Sequence, residues 1–172
     1  MKVIEESGMM LGEFEEERLF LIEHSDVHKK AGEGVKTVEL IYLTHNDSLL
    51  FIEAKKTCPN VMNKDETAEK EQKYEEYFTD IANKFTDSIE MYAATALGRN
   101  EECTGIGKEI QEKKSYSKTR FKFILIIAEA EEGWLLGPKA ELEERLKRLR
   151  KIWKADILVL NKRLAKEHGL IK

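Results

Sequence analysis

The apolar positions of this chain follow two different periods, and the change between them divides it. Up to residue 56 they come in short runs set apart by turn formers. Gly8 and Gly12 punctuate the start, and Arg18 to Glu23 reads as a strand. Ser25 has the character of an N-cap for a short helix through Lys30, with Gly32 or Gly34 to end it. Val35 to Leu43, rich in β-branched and aromatic residues, predicts a strand. Thr44 to Ser48 supplies turn chemistry, and Leu49 to Lys55 predicts the returning strand of a hairpin. After Pro59 the spacing lengthens to three and four. Tyr74, Tyr77, Phe78, Ile81, Phe85, Ile89, Tyr92 and Ala96 predict an amphipathic helix of several turns, with Asn63 and Glu66 as a start signal and Gly98 as a stop.

Residues 99–118 are polar and read as a loop with one helical turn, and Phe121 to Ala128 is a nearly unbroken apolar run, as in a strand buried on both faces. Pro138 opens a helix whose Leu142, Leu146, Leu149 and Trp153 form one stripe, with acids first and bases last to suit its dipole. Asp156 to Asn161 predicts a last strand, followed by a short tail helix. This order predicts an α/β (α+β) fold, a mixed central sheet flanked by helices.

Composition narrows the setting. Of 172 residues, 36% are charged and 41% hydrophobic, enough for the core of one domain spanning 1–172 under a highly charged surface. The longest stretch without a charge, Met91 to Gly98, is eight residues, far below a membrane span, and the start lacks the apolar core of a signal peptide. A cytoplasmic protein is expected. Cys58 and Cys103 stand alone, without zinc or redox spacing, and are expected to be free thiols. The net charge of −4 is lopsided: residues 1–112 hold 25 acids and 13 bases, residues 113–172 hold 8 acids and 16 bases.

Candidate chemistry lies on the hairpin. In Phe51-Ile52-Glu53-Ala54-Lys55 the alternation of a strand puts Glu53 and Lys55 on one face, and Glu39 interrupts the apolar first strand. Carboxylates in buried strands are costly unless paired, hydrogen-bonded or metal-bound. Register decides whether they meet. A three-residue loop, His45 to Asp47, places Glu39 opposite Glu53; a two-residue turn sends them to opposite faces. Two facing carboxylates call for a cation, and hard oxygen donors favour Mg²⁺ or Mn²⁺. A neighbouring lysine suits the positioning of water and the charge on a phosphate, the arrangement expected for phosphodiester hydrolysis.

Glu39, then 13 residues, then Glu53-Ala54-Lys55, on a hairpin followed by a helix and a strand, resembles the PD-(D/E)xK or restriction-endonuclease-like nucleases, including small uncharacterised bacterial members. The resemblance implies a restriction-endonuclease-like core over roughly residues 35–128, with Glu39 and Glu53 as the acids and Lys55 as the lysine. It also implies the Ala54 carbonyl as a further ligand, Mg²⁺ or Mn²⁺ as cofactor, DNA or RNA as substrate and 5′-phosphate products. The first acid in that family is usually Asp and is here Glu, no Pro precedes it, and the N-terminal helix that often adds an acid is replaced by Glu23 on an expected strand, a candidate third ligand. A non-catalytic binding or assembly module of the same fold, in a bacterial or phage defence system and with a homo-oligomeric or protein partner, is the competing expectation, motivated by the acidic first two-thirds.

Other segments have simpler readings. Lys113 to Lys122, with five bases and two aromatics, suits a phosphate track with a base on Tyr116 or, preferred, a solvated loop. Arg145 to Lys154, with six bases and no acid, is explained by the helix dipole. His24 and His28 read as surface histidines. Gly105-Ile106-Gly107-Lys108 departs from a phosphate loop at Glu102 and Glu109, and Asp47, the other acid near the hairpin, belongs to its turn.

Overall fold

The computed structural model describes residues 1–59, 67–100 and 103–172. Its centre is a five-stranded mixed sheet of β3 (Leu19–Phe20), β4 (Leu40–Leu43), β5 (Ser48–Lys55), β6 (Arg120–Ile127) and β7 (Asp156–Asn161), neighbours in that order. β4 runs antiparallel to both of its neighbours, β3 and β5; β5, β6 and β7 run parallel, so the two kinds of pairing meet at β5. Parallel neighbours require crossovers. The β5–β6 connection contains α2 (Ala68–Ala96), and the β6–β7 connection contains α4 (Leu136–Arg145) and α5 (Lys147–Trp153).

Alternation along β5 sorts the core into two layers. Leu49 and Phe51 face one side, with Phe78, Ile81 and Phe85 of α2 and Leu142 of α4. Leu50, Ile52 and Ala54 face the other, covered by the separate hairpin β1 (Lys2–Glu6) and β2 (Met9–Phe14) and by the tail helix α6 (Lys162–Glu167). Glu53 and Lys55 continue the Leu49–Phe51 set and therefore lie under α2. β6, apolar on both faces from Phe123 to Ile127, is buried on both, as its composition predicts.

Several boundaries differ from the sequence pattern. The first hairpin strand pairs only from Leu40, not from Val35. The reason is visible in its donors: the amide of Lys36 donates to Asp87 Oδ2 at 2.8 Å and that of Val38 to Ser88 Oγ at 2.9 Å. Side chains of α2 take the bonds that a neighbouring strand would supply. Arg18 to Glu23 forms only the two-residue β3 and then a 3₁₀ turn over Ile22–His24, which puts Glu23 on a turn and not on a strand. Helix α1 (Asp26–Ala31) is capped by Ser25, whose side chain accepts from the His28 amide at 3.2 Å. The helix at Pro138 starts two residues earlier, at Leu136, and breaks at Leu146 (φ −94°, ψ 12°), while Leu142 and Leu146 both stay buried. Helix α3 (Lys108–Gln111) is the single turn expected in the polar stretch. Asn63 and Glu66 lie outside the described residues, and α2 ends before Gly98 (φ +74°). No helix among the described residues is long and apolar enough to cross a membrane.

Phe123 is fully buried at the centre of β6, with Phe51 and Phe85 rings 5.4 and 5.3 Å away. Phe123→Ala is expected to lower stability in urea denaturation by about 3–5 kcal/mol. Ile152→Ala, at a position 68% exposed, is expected to change it by less than about 0.5 kcal/mol.

Candidate functional site

The turn fixes the register of the β4–β5 hairpin. The amide of Asp47 donates to the Thr44 carbonyl at 3.2 Å and the amide of Thr44 to the Ser48 carbonyl at 2.9 Å. Asp47 itself is left-handed (φ 56°), which gives a tight turn closed by a left-handed residue: a three-residue loop. Asp47 is held there by Lys113 Nζ at 2.7 Å and Thr119 Oγ1 at 3.1 Å, so its acid belongs to the turn. From Thr44 against Ser48 the pairing runs to Leu40 against Ile52, and Glu39 and Glu53 are the next residues beyond that pair, both within reach of one ammonium, that of Lys84. The odd loop on which that meeting depends is present.

Glu53 is fully buried. Its Oε1 receives two ammonium groups, Lys84 Nζ at 2.8 Å from α2 and Lys55 Nζ at 3.0 Å from its own strand. Its Oε2 is buried and has no hydrogen-bond partner among the described residues. Lys84 Nζ lies 3.9 Å from Glu39 Oε1 as well, so one ammonium spans both acids. Burial raises the pKa of Glu53, and Lys84 and Lys55 act against that rise. Glu39 is pushed up to about 9, chiefly by burial, then by its hydrogen bond with Glu23 and by the negative charge of Glu53 and Glu23. These influences together favour the protonated form of Glu39. Burial works against the charge of Lys84, but Glu53 and Glu39 outweigh it and raise its pKa.

Two further elements complete the surroundings. The Ala54 carbonyl, expected as a ligand, accepts a hydrogen bond from Ser7 Oγ at 3.1 Å. Ser7 and Gly8 form the tip of the β1–β2 hairpin with positive φ (50° and 73°), the conformation a two-residue turn demands, and this aims the serine at β5. His28 ring nitrogens lie 2.8 Å from the Glu23 carbonyl and 3.1 Å from that of Val35, which ties the Glu23 turn to the chain leading into β4. His28 is thus a local tie between two backbone segments.

The structure brings together Glu23, Glu39, Glu53, Ala54 and Lys55. It adds Lys84 and Ser7, which sequence reasoning did not single out. Among the described residues, no three His, Cys, Asp or Glu side chains are grouped to hold a metal ion as they stand. The gap between the facing carboxylates is taken by the Lys84 ammonium.

The basic segments lie at the other end of the sheet. Arg120 pairs with Ser48 and Lys55 with Ile127, so Arg120 sits about 23 Å from Lys55 at 3.3 Å per residue. Lys122 pairs with Asp156, just after Lys151 and Lys154, which brings the ends of both basic stretches to the N-terminal ends of β6 and β7, while Arg145 bonds Glu75 and Thr79 of α2. Tyr116 is committed to packing: its hydroxyl is 3.0 Å from that of Tyr92 and its ring lies against Phe121. The Gly105–Lys108 stretch seats on the sheet edge. The Gly107 amide donates to the Leu19 carbonyl at 2.8 Å, and a Cβ there would come within 2.4 Å of the Glu17 backbone. Both cysteines are free, and burial pushes the Cys58 thiol up to about 11, which leaves it a poor nucleophile.

Compared with protein-family models, curated proteins and solved structures, the chain matches none. The functional reading therefore stands on this geometry.

The raised pKa of Glu39 sets a pH dependence. Below its ordinary value of 4.5 the folded and unfolded forms both carry the proton, and between 4.5 and about 9 only the unfolded form loses it. Stability without metal therefore falls across that window as pH rises. Glu39→Gln keeps a donor toward Glu23 and removes the penalty. It is expected to stabilise the protein by about 1–2 kcal/mol at pH 7.5, with the difference vanishing near pH 4, in urea titrations at both pH values.

Proposed function

We propose that this chain is a metal-dependent phosphodiesterase of the PD-(D/E)xK type, acting on DNA or RNA, with a restriction-endonuclease-like core. The observation that carries the proposal is the meeting of Glu39 and Glu53 at one ammonium just beyond the Leu40–Ile52 pair, with a buried Oε2 on Glu53 that has no partner among the described residues and Lys55 against the same carboxylate. A buried carboxylate oxygen without a donor is a costly feature in a central strand, and a cation is the partner it fits.

The donor set suits Mg²⁺ or Mn²⁺: two carboxylates and a backbone carbonyl, with no thiolate or imidazole. Glu39 and Glu53 would hold the ion, joined by the Ala54 carbonyl once Ser7 releases it, with Glu23 bonded to Glu39 behind them. When bound, the metal supplies Lewis-acid stabilisation of charge on the phosphate. Lys55 has a side chain 29% exposed at the end of β5. From there it reaches solvent to position the attacking water and to steady the developing phosphate charge. Beyond it, Thr57, Tyr74, Trp134 and Pro138 line a cavity of about 250 Å³. Trp134, 56% exposed, offers a stacking surface for a base beside the reacting phosphate.

The second reading is a nucleic-acid or protein-binding module without catalysis. What favours it is the distance of the basic surface from the acids, together with the ammonium already between them. Oligomeric state and cytoplasmic location belong to this proposal as expectations.

The test is cleavage of end-labelled DNA and RNA with Mg²⁺ or Mn²⁺. Wild type is expected to cut one of them, leaving 5′-phosphates, and Glu53→Ala and Lys55→Met, both checked by circular dichroism, are expected to lose about 10²-fold or more. Cleavage that survives in both variants, or none by wild type with either substrate and metal, contradicts the catalytic reading. A binding assay separates the module. Reversing Lys118, Arg120, Lys151 and Lys154 to Glu is expected to flatten the salt dependence of duplex binding, by about 0.9 in log–log slope for each phosphate no longer neutralised. An unchanged slope excludes the basic end as the binding surface.

A further inference from the structure

We infer that Lys84 is a tethered counter-cation for the Glu39–Glu53 pair, and that a divalent metal enters the site only as the Lys84 ammonium leaves it. This rests on the metal-site reading above and adds a built-in competitor to it.

Position is the first argument. Lys84 Nζ is 2.8 Å from Glu53 Oε1 and 3.9 Å from Glu39 Oε1, so it occupies the gap that faces both acids. Lys55 pairs with Glu53 and does not span to Glu39. Second, α2 offers no other reason for a lysine there. Residue 84 lies three positions after the buried Ile81 and four before the buried Ser88, on the face turned to the sheet, with its side chain only 13% exposed. Burying an ammonium is costly, and the buried Glu53 carboxylate at 2.8 Å, with Glu39 beside it at 3.9 Å, is what offsets it. Third, an ammonium and a dication in one gap a few ångströms wide repel each other in a poorly screened interior, so simultaneous occupancy is disfavoured. Fourth, the lysine has somewhere to go. Asp80 and Asp87 lie four residues before and three after it on α2, the spacing at which helix side chains meet. Both are partly exposed and already engage Lys36. A flexible stem moving outward exchanges one set of carboxylates for another. Glu53 Oε2 is then the oxygen open to the metal while Oε1 keeps Lys55.

The experiment titrates Mn²⁺ at pH 8 into wild type, Lys84→Met and Lys84→Arg, with free Mn²⁺ read by electron paramagnetic resonance and folding checked by circular dichroism. Lys84→Met is expected to bind about tenfold more tightly than wild type, a one-unit change in log affinity, and Lys84→Arg to bind as weakly as wild type. In parallel, wild type labelled at lysine side chains is titrated with Mg²⁺ by nuclear magnetic resonance. The Lys84 resonance, assigned by its absence from Lys84→Arg, is expected to shift with the same midpoint as metal binding. This measurement decides the matter if Lys84→Met does not fold. Metal binding by wild type with the Lys84 resonance unmoved, or binding to Lys84→Met that is equal or weaker, overturns the inference and leaves the metal site standing. Absence of binding to wild type and every folded variant overturns the site and this inference together.

Discussion

A carboxylate buried in the central strand, facing a second one across the hairpin, is the constraint around which this fold is arranged. Glu53 has no solvent of its own, and Glu39 has little. Each neighbouring element answers that problem. The three-residue loop around Asp47 sets the register, Ser88 and Asp87 of α2 hold the approach to β4, and the β1–β2 tip places Ser7 on the Ala54 carbonyl. α2 supplies the ammonium. Burial and the neighbouring negative charges favour the protonated form of Glu39, and Lys84 and Lys55 both pair with Glu53.

Such a cluster is weak evidence for stability, because well-packed apolar residues of similar volume would serve the fold as well or better. Its concentration on one face, beneath α2 at the C-terminal end of β5, is the kind of gathering of perturbed ionisable groups that marks a candidate site. The protein is also polarised along its strands. Acids gather where β5 ends, and bases gather where β6 and β7 begin. A nucleic acid bound to the basic end would extend several phosphates before reaching Lys55, given about 23 Å between them. That separation is what keeps the binding-module reading alive beside the catalytic one.

Much of the hairpin is legible in the sequence because strand alternation and turn chemistry are local. Glu53, Lys55 and Glu39 can be assigned to one face, and their meeting reduces to whether a loop is odd. Lys84 is not legible for the opposite reason. Its partners are 31 and 45 residues away, and a lone lysine within a helix resembles any solvated position. The signal available is its place between Ile81 and Ser88 on the apolar face. Glu23 falls on a turn where the pattern suggests a strand, since two residues suffice to pair with β4. The extended segment 35–39 looks like a strand because its composition cannot reveal that α2 side chains take its hydrogen bonds. The break at Leu146 leaves no mark in the apolar stripe, which stays on one side across both helices. The basic stretches are plain in the sequence, without any indication of which end of the sheet they reach.

The Glu39–Glu53 pair is proposed to be a cation site. Calorimetric titration of Mn²⁺ at pH 7.5, repeated in two buffers of different ionisation enthalpy, tests it most directly. Burial and the neighbouring negative charges favour the protonated form of Glu39, so metal binding there is expected to release a proton. The predicted result is one-site binding with a net release approaching one proton, lost in Glu53→Ala. Binding without proton release, or binding that persists in Glu53→Ala, would place the metal elsewhere and contradict the claim.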